Sequence, residues 1–344
     1  MLNSLKSEPT APERYKRIDD VLGHAAHRYL GDGHRGVDQH LHDVRLGVDE
    51  FGDHGVRAKA SVRYPAQWSV KDNPIELGPH LSAVDAAILA VTLGECHLAH
   101  TRGLDPEQRR RAWIRSLELR AGDQPLLDLD AFDVEARVIE SQADPLSLCG
   151  HVTTLACRVG GIRARCAIEH EPGHVRTEPG SFATAEELLG DRDTRYYGNG
   201  YKLMRRDIAD VRITPREGFA LGLVTVEEPA DGRLGDGLGA AYGPALRPID
   251  GILVAAQLAQ AMLYRLDNLD RGDSNTLWMR RVALTAESPH QPLTNPIATT
   301  VSTTDTRVTP IRGYPWRTAD LDAQMLGWHG SCTLTHVLPF PTSR

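Results

Sequence analysis

The string RYLGDG at residues 28–33 recurs as RYYGNG at residues 195–200, and the string DVR at 43–45 recurs at 210–212. Both pairs are 167 positions apart, and 7 of the 19 aligned positions from residue 28 to residue 46 are identical. Unrelated segments of this length share about one residue, so the match indicates an internal duplication. A period near 165 residues is far longer than a solenoid repeat, which means that one domain has been copied and fused.

Two further matches follow in the same order, each 165 positions apart. GPHL at 78–81 recurs as GPAL at 243–246, and WIR at 113–115 recurs as WMR at 278–280. The duplication therefore extends along most of the chain.

The duplication divides the 344 residues into two domains of ordinary size. We assign an N-terminal domain to residues 1–175 and a C-terminal domain to residues 186–344. The segment from about 170 to 192 carries two prolines and several glycines and is predicted to be a linker. Such a chain is expected to be a monomer that forms a pseudo-dimer, or a homodimer.

Composition excludes several classes of function. An apolar content of 41% and a charged content of 25% are typical of a soluble globular protein, and the net charge of -7 argues against a nucleic-acid partner. The five cysteines contain no Cys-x-x-Cys pair, which fits a reducing cytoplasm. No signal peptide is evident, and the longest apolar run, Ala83 to Leu93, is too short to span a membrane.

The hydrophobic pattern predicts the same element order in each half: two strands, one long apolar helix, and about three further strands. The helices are expected at Ala83–His97 and Ile249–Tyr264. This order predicts an α+β double hotdog, in which a curved antiparallel sheet wraps each helix. A jelly roll is the alternative, but it would not need a long apolar helix in each half. The strands are predicted at 41–48, 56–64, 113–120, 131–141, 148–170, 208–213, 219–227, 278–286, 297–308 and 326–338.

The start of the first helix carries candidate catalytic residues. Ser82 is a natural N-cap, and Asp85 stands at the position that completes a capping box. The second copy keeps the aspartate as Asp250 but replaces Ser82 with Arg247. Because the aspartate persists without the serine, we expect Asp85 and Asp250 to do more than cap a helix.

A polar stripe follows the same helix. Asp85, Thr92 and Glu95 lie within about 80° of one another on a helical wheel. One interpretation is that the stripe meets solvent at a sheet edge; the other is that it lines a binding site, since buried polar groups need partners. The equivalent residues of the second copy are Asp250, Gln257 and Gln260.

His80 precedes the helix and has Ala245 as its counterpart. A histidine here is a candidate general base, because its pKa lies near the operating pH. The alternative is a loop histidine that bonds to the backbone. In a paired hotdog the site lies between the halves, so His80 is placed to work with Asp85 or Asp250.

Other motifs carry weaker signals. His40-x-His42 lacks a second ligand pair, so no metal is predicted. Cys96 lies within the apolar helix and is expected to be inert. The glycines of both GxG strings are most simply turns that need a positive φ.

No nucleotide-binding motif is present, and the paired or tripled arginines are either solvated or dock an acidic carrier protein or its phosphopantetheine phosphate. These clusters lie at 109–111, 205–206 and 280–281.

Three strings together resemble one family. RYLGDG at 28–33, VRYPAQWS at 62–69 and PHLSAVD at 79–85 are similar to the AvrD (avirulence D) family, and the resemblance runs from about residue 15 to residue 340. Members of that family are bacterial enzymes of secondary metabolism that make syringolide-type elicitors. Their architecture is similar to that of the A-factor synthases, which build butyrolactone signals.

The resemblance implies that a β-ketoacyl group passes from a thioester of acyl carrier protein or CoA to a hydroxyl of a sugar-like acceptor such as xylulose. An aldol-type ring closure to a butenolide precursor can follow, and no cofactor beyond the phosphopantetheine thioester is needed. From the residues themselves, we expect His80 and Asp85 to act as base and orienter, with Asp250 assisting at the catalytic site. N–H groups near Ala83 and Ile249 would polarise the thioester carbonyl. The expected substrate-binding residues are Glu95, Ser82, Thr92, Gln257 and Gln260.

The sequence departs from one related pattern. Double-hotdog dehydratases carry His-x-x-x-Gly-x-x-x-x-Pro and Asp-x-x-x-Gln/His, whereas Asp250 here is followed four residues later by Val254. A simple dehydratase is therefore not expected. An acyl thioesterase and a non-catalytic acyl- or lactone-binding protein remain as alternatives.

Overall fold

A computed structural model describes residues 11–48, 52–70, 78–272 and 277–339. Each copy places one long helix against a set of antiparallel strands. In the first copy the helix is α2 (Ala83–His100), and in the second it is α6 (Pro248–Asp267). The shorter helices are α1 (Asp19–Leu22), α3 (Pro106–Arg111), α4 (Ala185–Leu189) and α5 (Tyr201–Leu203).

The strands of the first half run from β1 to β7, and those of the second from β8 to β14. The first half contains β1 (Glu13–Arg17), β2 (Asp38–Val48), β3 (His54–Arg63), β4 (Trp113–Arg120), β5 (Phe132–Ala143), β6 (His151–Val159) and β7 (Ile162–His170). The second contains β8 (Gly180–Thr184), β9 (Arg205–Thr214), β10 (Phe219–Glu227), β11 (Trp278–Ala286), β12 (Ile297–Ile311), β13 (Tyr314–Met325) and β14 (Trp328–Val337).

All 14 of these strands belong to one sheet. The order is β8-β2-β3-β5-β6-β7-β4-β11-β14-β13-β12-β10-β9-β1, and all neighbouring strands are antiparallel. The two copies meet at the centre, where β4 pairs with β11. His34 and Tyr201, which are equivalent positions 167 residues apart, stack with ring centroids 6.1 Å apart. The copies are therefore related by a pseudo-twofold axis.

At each edge of the sheet, the outermost strand comes from the segment that precedes the other copy. β1 precedes the first copy but pairs with β9 of the second, and β8 precedes the second copy but pairs with β2 of the first. The starts of β1 and β8, residues 13 and 180, differ by the same 167 positions as the repeat. The predicted linker at about 170 to 192 thus needs correction, since it contains β8 and α4. The prolines and glycines of this segment are typical of loops, so the sequence pattern did not predict the short edge strand.

The two long helices form the core of the fold. Every residue of α2 from Val84 to Ala99 is buried, including Thr92 and Glu95. Burying a large aliphatic side chain contributes roughly 1.5–3 kcal/mol, so a helix buried on all faces anchors the surrounding sheet. This arrangement, present twice, is the double hotdog fold of the α+β class that the sequence predicts.

The repeated DVR string forms a β-bulge in each copy. Asp43 and Asp210 have φ values of 51° and 45°, and the strand register shifts at both places. Aspartate tolerates this left-handed conformation better than most residues. The repeat therefore preserves a backbone feature here.

The glycines of the GxG strings have a different role from the predicted one. Neither Gly31 nor Gly33 has a positive φ, and the same holds for their counterparts Gly198 and Gly200. A Cβ on Gly33 would lie 2.1 Å from the carbonyl oxygen of Trp68. The glycines are needed because other backbone passes too close for a side chain.

The predicted strands 219–227 and 278–286 agree with β10 and β11, whereas the segment 148–170 is two strands joined by Gly160 and Gly161. Within the described ranges, no helix combines the length and the apolar character needed to cross a membrane.

Candidate active site

Ser82 caps the start of α2, as its position predicts. The Ser82 Oγ accepts a hydrogen bond from the Asp85 N–H at 3.1 Å and donates to the Asp85 Oδ2 at 2.6 Å. The Ser82 N–H, however, donates to the Tyr64 hydroxyl at 3.0 Å, so the reciprocal bond of a capping box is absent between these described residues. Asp85 is thereby left for other partners.

Asp85 is fully buried and is surrounded by neutral donors. The Tyr29 hydroxyl donates to Oδ2 at 2.9 Å, and the Tyr64 hydroxyl and the Gln39 Nε2 donate to the same carboxylate. Burial raises the pKa of Asp85, and the hydrogen bonds from Ser82 and the tyrosines offset only part of that effect. With no cation among these donors, Asp85 is suited to hold a proton.

The tyrosines around Asp85 are held in their protonated form. Burial, followed by the charge of Asp85, raises the pKa of Tyr29 and of Tyr64 well above the usual value. Tyr201 donates to Gln39 at 3.3 Å and extends the same network. The cluster is therefore a connected set of hydroxyl donors around one carboxyl group.

His80 lies in the segment before α2 and contacts Trp68, which packs on this cluster; the region formed by His80, Trp68, Trp278 and the start of α2 is called the entrance below. The His80 ring is half-buried, 5.6 Å from the ring of Trp68 and 5.1 Å from that of Trp278. Its Nδ1 is 3.3 Å from the carbonyl oxygen of Gly78. The hydrogen bonds of Asp85 do not include His80, so the predicted orienting role of Asp85 toward His80 needs correction. Asp85 is instead enclosed by side chains from β2, from Tyr64 just after β3, and from the 28–33 loop.

The entrance is built by both copies. Trp68, which follows β3, contacts Tyr29 and Tyr64 with ring centroids 5.9 and 5.3 Å apart. Trp278 begins β11 of the second copy. A continuous aromatic wall therefore connects His80 to the donors of Asp85 and closes against the other half of the molecule.

The first turn of α2 offers backbone donors to this entrance. The N–H groups of Asp85 and Ala86 are bonded to Ser82, whereas those of Ala83 and Val84 have no acceptor among the described residues. Free N–H groups at a helix N-terminus favour a developing negative charge.

The polar stripe of α2 is buried, so its interpretation as a solvent-facing stripe is wrong. Glu95 is paired with Arg195 at 3.1 Å, with both side chains inaccessible to solvent. Thr92 donates to the carbonyl of Ile88 at 2.8 Å and approaches the carbonyl of Tyr197 at 3.4 Å. These residues fix the 195–198 loop of the second copy onto the helix of the first.

The second copy makes the reciprocal contact. Arg28 donates to Gln257 and also to Asp19. Gln257 in turn donates to the carbonyl of Leu253 at 3.0 Å, and Gln260 donates to the Tyr264 hydroxyl at 3.1 Å. Gln257 and Gln260 thus have structural partners, and their predicted contact with substrate stays a prediction.

Asp250 differs from Asp85 in its partners. It accepts from the guanidinium of Arg206 at 2.6 and 2.8 Å and from the Arg247 N–H at 3.0 Å. Arg206 occupies the position equivalent to Gln39. The aspartate that lies among neutral donors in the first copy is therefore part of a buried ion pair in the second, where it also caps α6.

Most of the donors around the two aspartates were not predicted from the sequence. Tyr29 and Tyr64 lie inside the quoted strings but carried no predicted role, and Gln39 was not singled out. One signal in the sequence could have found them. The first copy has the neutral Gln39 where the second has the charged Arg206, and such a difference indicates that the side chain next to this position has a different environment in each copy.

The remaining candidates do not assemble into a metal or cysteine site. No three His, Cys, Asp or Glu side chains in the described ranges are grouped to hold a metal ion. Cys96 is fully buried, and burial raises the pKa of its thiol to about 12. It is therefore a poor nucleophile near neutral pH.

The topology and the site together define a double hotdog protein in which the residues at the starts of the two long helices differ between the copies. The chain matches the profile of the Pseudomonas avirulence D protein (AvrD) family over residues 13–339. It belongs to the AvrD family.

Solved structures similar to this chain are distant. The PpsC dehydratase domain from Mycobacterium tuberculosis is 14% identical, with a TM-score of 0.34 and coverage of 86% of this chain and 98% of that one. A hot dog fold protein from Alicyclobacillus acidocaldarius is 10% identical, with a TM-score of 0.34 and coverage of 86% and 96%. The GphF Dehydratase 1 structure is 14% identical, with a TM-score of 0.35 and coverage of 86% and 97%. No curated protein sequence matches the chain.

Proposed function

We propose that this protein is an acyltransferase that moves a β-ketoacyl group from a thioester to a hydroxyl of a ketose-like acceptor. The observation that carries the proposal is the first-copy entrance, where a half-buried His80 stands before a helix N-terminus and beside the Asp85 cluster. The entrance supplies a base, backbone donors and a proton-holding group, which are the requirements of cofactor-free acyl transfer.

In the proposed reaction, His80 takes the proton of the acceptor hydroxyl as that oxygen attacks the thioester carbonyl. The N–H groups of Ala83 and Val84 stabilise the negative charge on the carbonyl oxygen. The C–S bond then breaks, and the thiol leaves with a proton. The acidic carbon between the two carbonyls can subsequently give up a proton and attack the acceptor ketone, which closes a ring that carries a hydroxyl. Loss of this hydroxyl, with the remaining proton of that carbon, as water gives the butenolide-type product. Tyr64 and Asp85 would relay protons in the ring closure.

The donor is proposed to arrive as an acyl carrier protein or CoA thioester, with no other cofactor. Of the predicted arginine clusters, Arg109 is buried and Arg206 is bonded to Asp250, so neither suits a docking surface. Arg205 and Arg280 remain exposed, and Arg280 lies two residues from Trp278 at the entrance. A surface near Arg280 is therefore the proposed dock for an acidic carrier.

Product analysis tests the proposal. The purified protein is incubated with a β-ketoacyl thioester, with and without a ketose, and the products are identified by mass spectrometry. An ester of the ketose supports acyl transfer. Free β-keto acid would indicate a thioesterase instead, and a thioester that is bound but unchanged would indicate a non-catalytic binding protein.

A further inference from the structure

The second copy has its own cleft at the position equivalent to the His80 entrance. It lies at the start of α6, and its lining includes Trp113, Tyr197, Tyr242, Arg247, Pro248 and Trp328. Trp113 belongs to β4 of the first copy, so this cleft, like the first entrance, is built by both copies. Arg247 stands where the first copy has Ser82.

Arg247 lies at this cleft and carries donors without a partner among the described residues. The residue is only 5% exposed, and its guanidinium carbon lies 4.6 Å from the centre of the Tyr196 ring. Its Nη1 reaches Glu228 at 3.4 Å, but its Nε and Nη2 have no hydrogen-bond partner among the described residues. A buried guanidinium with two unused donors is costly unless another group accepts from them.

Trp113 adds a further unused donor on the same cleft. Its side chain is 4% exposed, and its Nε1 has no acceptor in the part of the chain that is described. Trp328, by contrast, donates its Nε1–H to the carbonyl of Leu246 at 3.1 Å. Of the two indoles that line the cleft, one is satisfied within the protein and the other is left for an external acceptor.

The walls of the cleft are fixed by their own hydrogen bonds. The Tyr242 hydroxyl donates to the carbonyl of Arg111 at 2.8 Å, and the Leu246 N–H donates to the carbonyl of Gln291 at 2.8 Å. The unused donors of Arg247 and Trp113 thus lie between walls that other hydrogen bonds hold in place. Such preorganisation is characteristic of binding sites.

We propose that this cleft is a separate binding site for a small carboxylate with a short apolar body. The Nε and Nη2 of Arg247 match the two oxygens of a carboxylate, and the Trp113 Nε1 supplies a third donor. The aromatic and proline side chains accommodate the carbon chain. The site does not depend on the acyl transfer proposed above, because it requires only binding.

Isothermal titration calorimetry of the full-length protein with acetoacetate tests the site. One acetoacetate is expected to bind per chain. Arg247→Gln should weaken the affinity about tenfold or more, the loss expected for hydrogen bonds to a charged group. Arg205→Gln, the same change at an exposed arginine, should leave the affinity unchanged.

A second variant keeps the test valid if Arg247→Gln fails to fold. Trp113→Phe keeps an aromatic ring but removes the indole N–H, and it should weaken binding about tenfold, the value of one hydrogen bond to a charged group. Methyl acetoacetate, which lacks the charge, should bind more weakly than acetoacetate.

The proposal is overturned if acetoacetate does not bind the folded protein, or if it binds both cleft variants as tightly as the wild type. It is also overturned if inorganic phosphate binds equally well and with the same dependence on Arg247, because the site would then be a general oxyanion site. Thioester turnover is measured separately, so loss of carboxylate binding and loss of acyl transfer are distinguishable.

Discussion

Asp85 and Asp250 are the same residue of the duplicated domain in two different electrostatic settings. Asp85 is surrounded by hydroxyl and amide donors, whereas Asp250 is paired with the buried guanidinium of Arg206. A carboxyl group without a counter-charge can exchange a proton, and one locked in an ion pair is structural. The difference supports the proposal that the proton chemistry takes place in the first copy.

The matched substitutions Asp85→Asn and Asp250→Asn should have unequal costs. Asp250→Asn leaves Arg206 charged and without its counter-ion, which costs about 3–5 kcal/mol of unfolding free energy. Asp85→Asn keeps a neutral hydrogen-bonding group among neutral partners and should cost about 1 kcal/mol or less. Urea unfolding at neutral pH measures both, and equal costs would contradict the assignment.

The pH dependence of stability provides a second test of Asp85. Because burial raises its pKa in the folded state, the folded protein retains a proton that the unfolded chain has lost, and stability falls as pH rises above about 4. Asp85→Asn lacks this dependence. The stability of the variant relative to wild type should therefore increase from about pH 4 upward, as measured by urea unfolding at several pH values. A constant or decreasing difference would show that the carboxyl is ionised without penalty.

At the residue scale, sequence patterns located the aspartates but not their surroundings. Ser82 and Asp85 are three residues apart, so their contact follows from helix geometry. The other donors to Asp85 are 21 to 56 residues away in the sequence: Tyr64, Gln39 and Tyr29. Their contact with Asp85 depends on how the strands assemble into the sheet, and local sequence patterns do not reveal it.

At the scale of elements, the repeated GxG loops fit tightly against other backbone. Gly33 packs under the carbonyl of Trp68, and Gly198 packs against that of Arg192. The loop at 28–33 positions Tyr29 on Asp85, and the Trp68 segment forms the wall beside His80. Loop packing and the proposed active site are therefore coupled.

Gly33→Ala should both destabilise the protein and impair activity. Its Cβ would fall 2.1 Å from the Trp68 carbonyl oxygen, which forces the backbone apart. Overpacking of this kind costs about 1–3 kcal/mol or more. Gly161→Ala is the control, since its Cβ would meet only the Gln124 carbonyl at 3.7 Å. Thermal unfolding of both variants checks the prediction, and equal melting temperatures would contradict it.

Strong periodicity was sufficient to predict the central elements. The alternating pattern of β10 and the apolar α2 were located well because burial on one or all faces leaves a clear signal. β13 was missed because its sequence around Trp316 and Asp320 is largely polar, and its strand conformation is imposed by pairing with β12 and β14. The short edge strands β1 and β8 were missed for the same reason.

At the scale of the whole molecule, each copy completes the other. β1 and β8 close the opposite edges, the β4–β11 pair joins the centre, and the Arg28 and Arg195 loops reach the helix of the other copy. If either copy were isolated, one of its edge strands would lose its pairing partner, and its loop arginine would lose its partner on the other helix.

The two halves should consequently not fold independently. When the chain is divided between residues 175 and 176, within the stretch that joins β7 to β8, each fragment lacks an edge strand and a central partner. We expect each fragment alone to aggregate, and the two together to form a 1:1 complex, as measured by light scattering after co-expression. A monomeric fragment with cooperative unfolding would contradict this account.

The central claim is that the first-copy entrance catalyses acyl transfer through His80. Single-turnover formation of the ketose ester from a β-ketoacyl thioester tests it most directly, with His329→Ala as the control because His329 is exposed on β14. We predict that His80→Ala lowers the rate about 10²- to 10⁴-fold, the contribution typical of a general base, while His329→Ala matches the wild type. A wild-type rate in folded His80→Ala would contradict the claim.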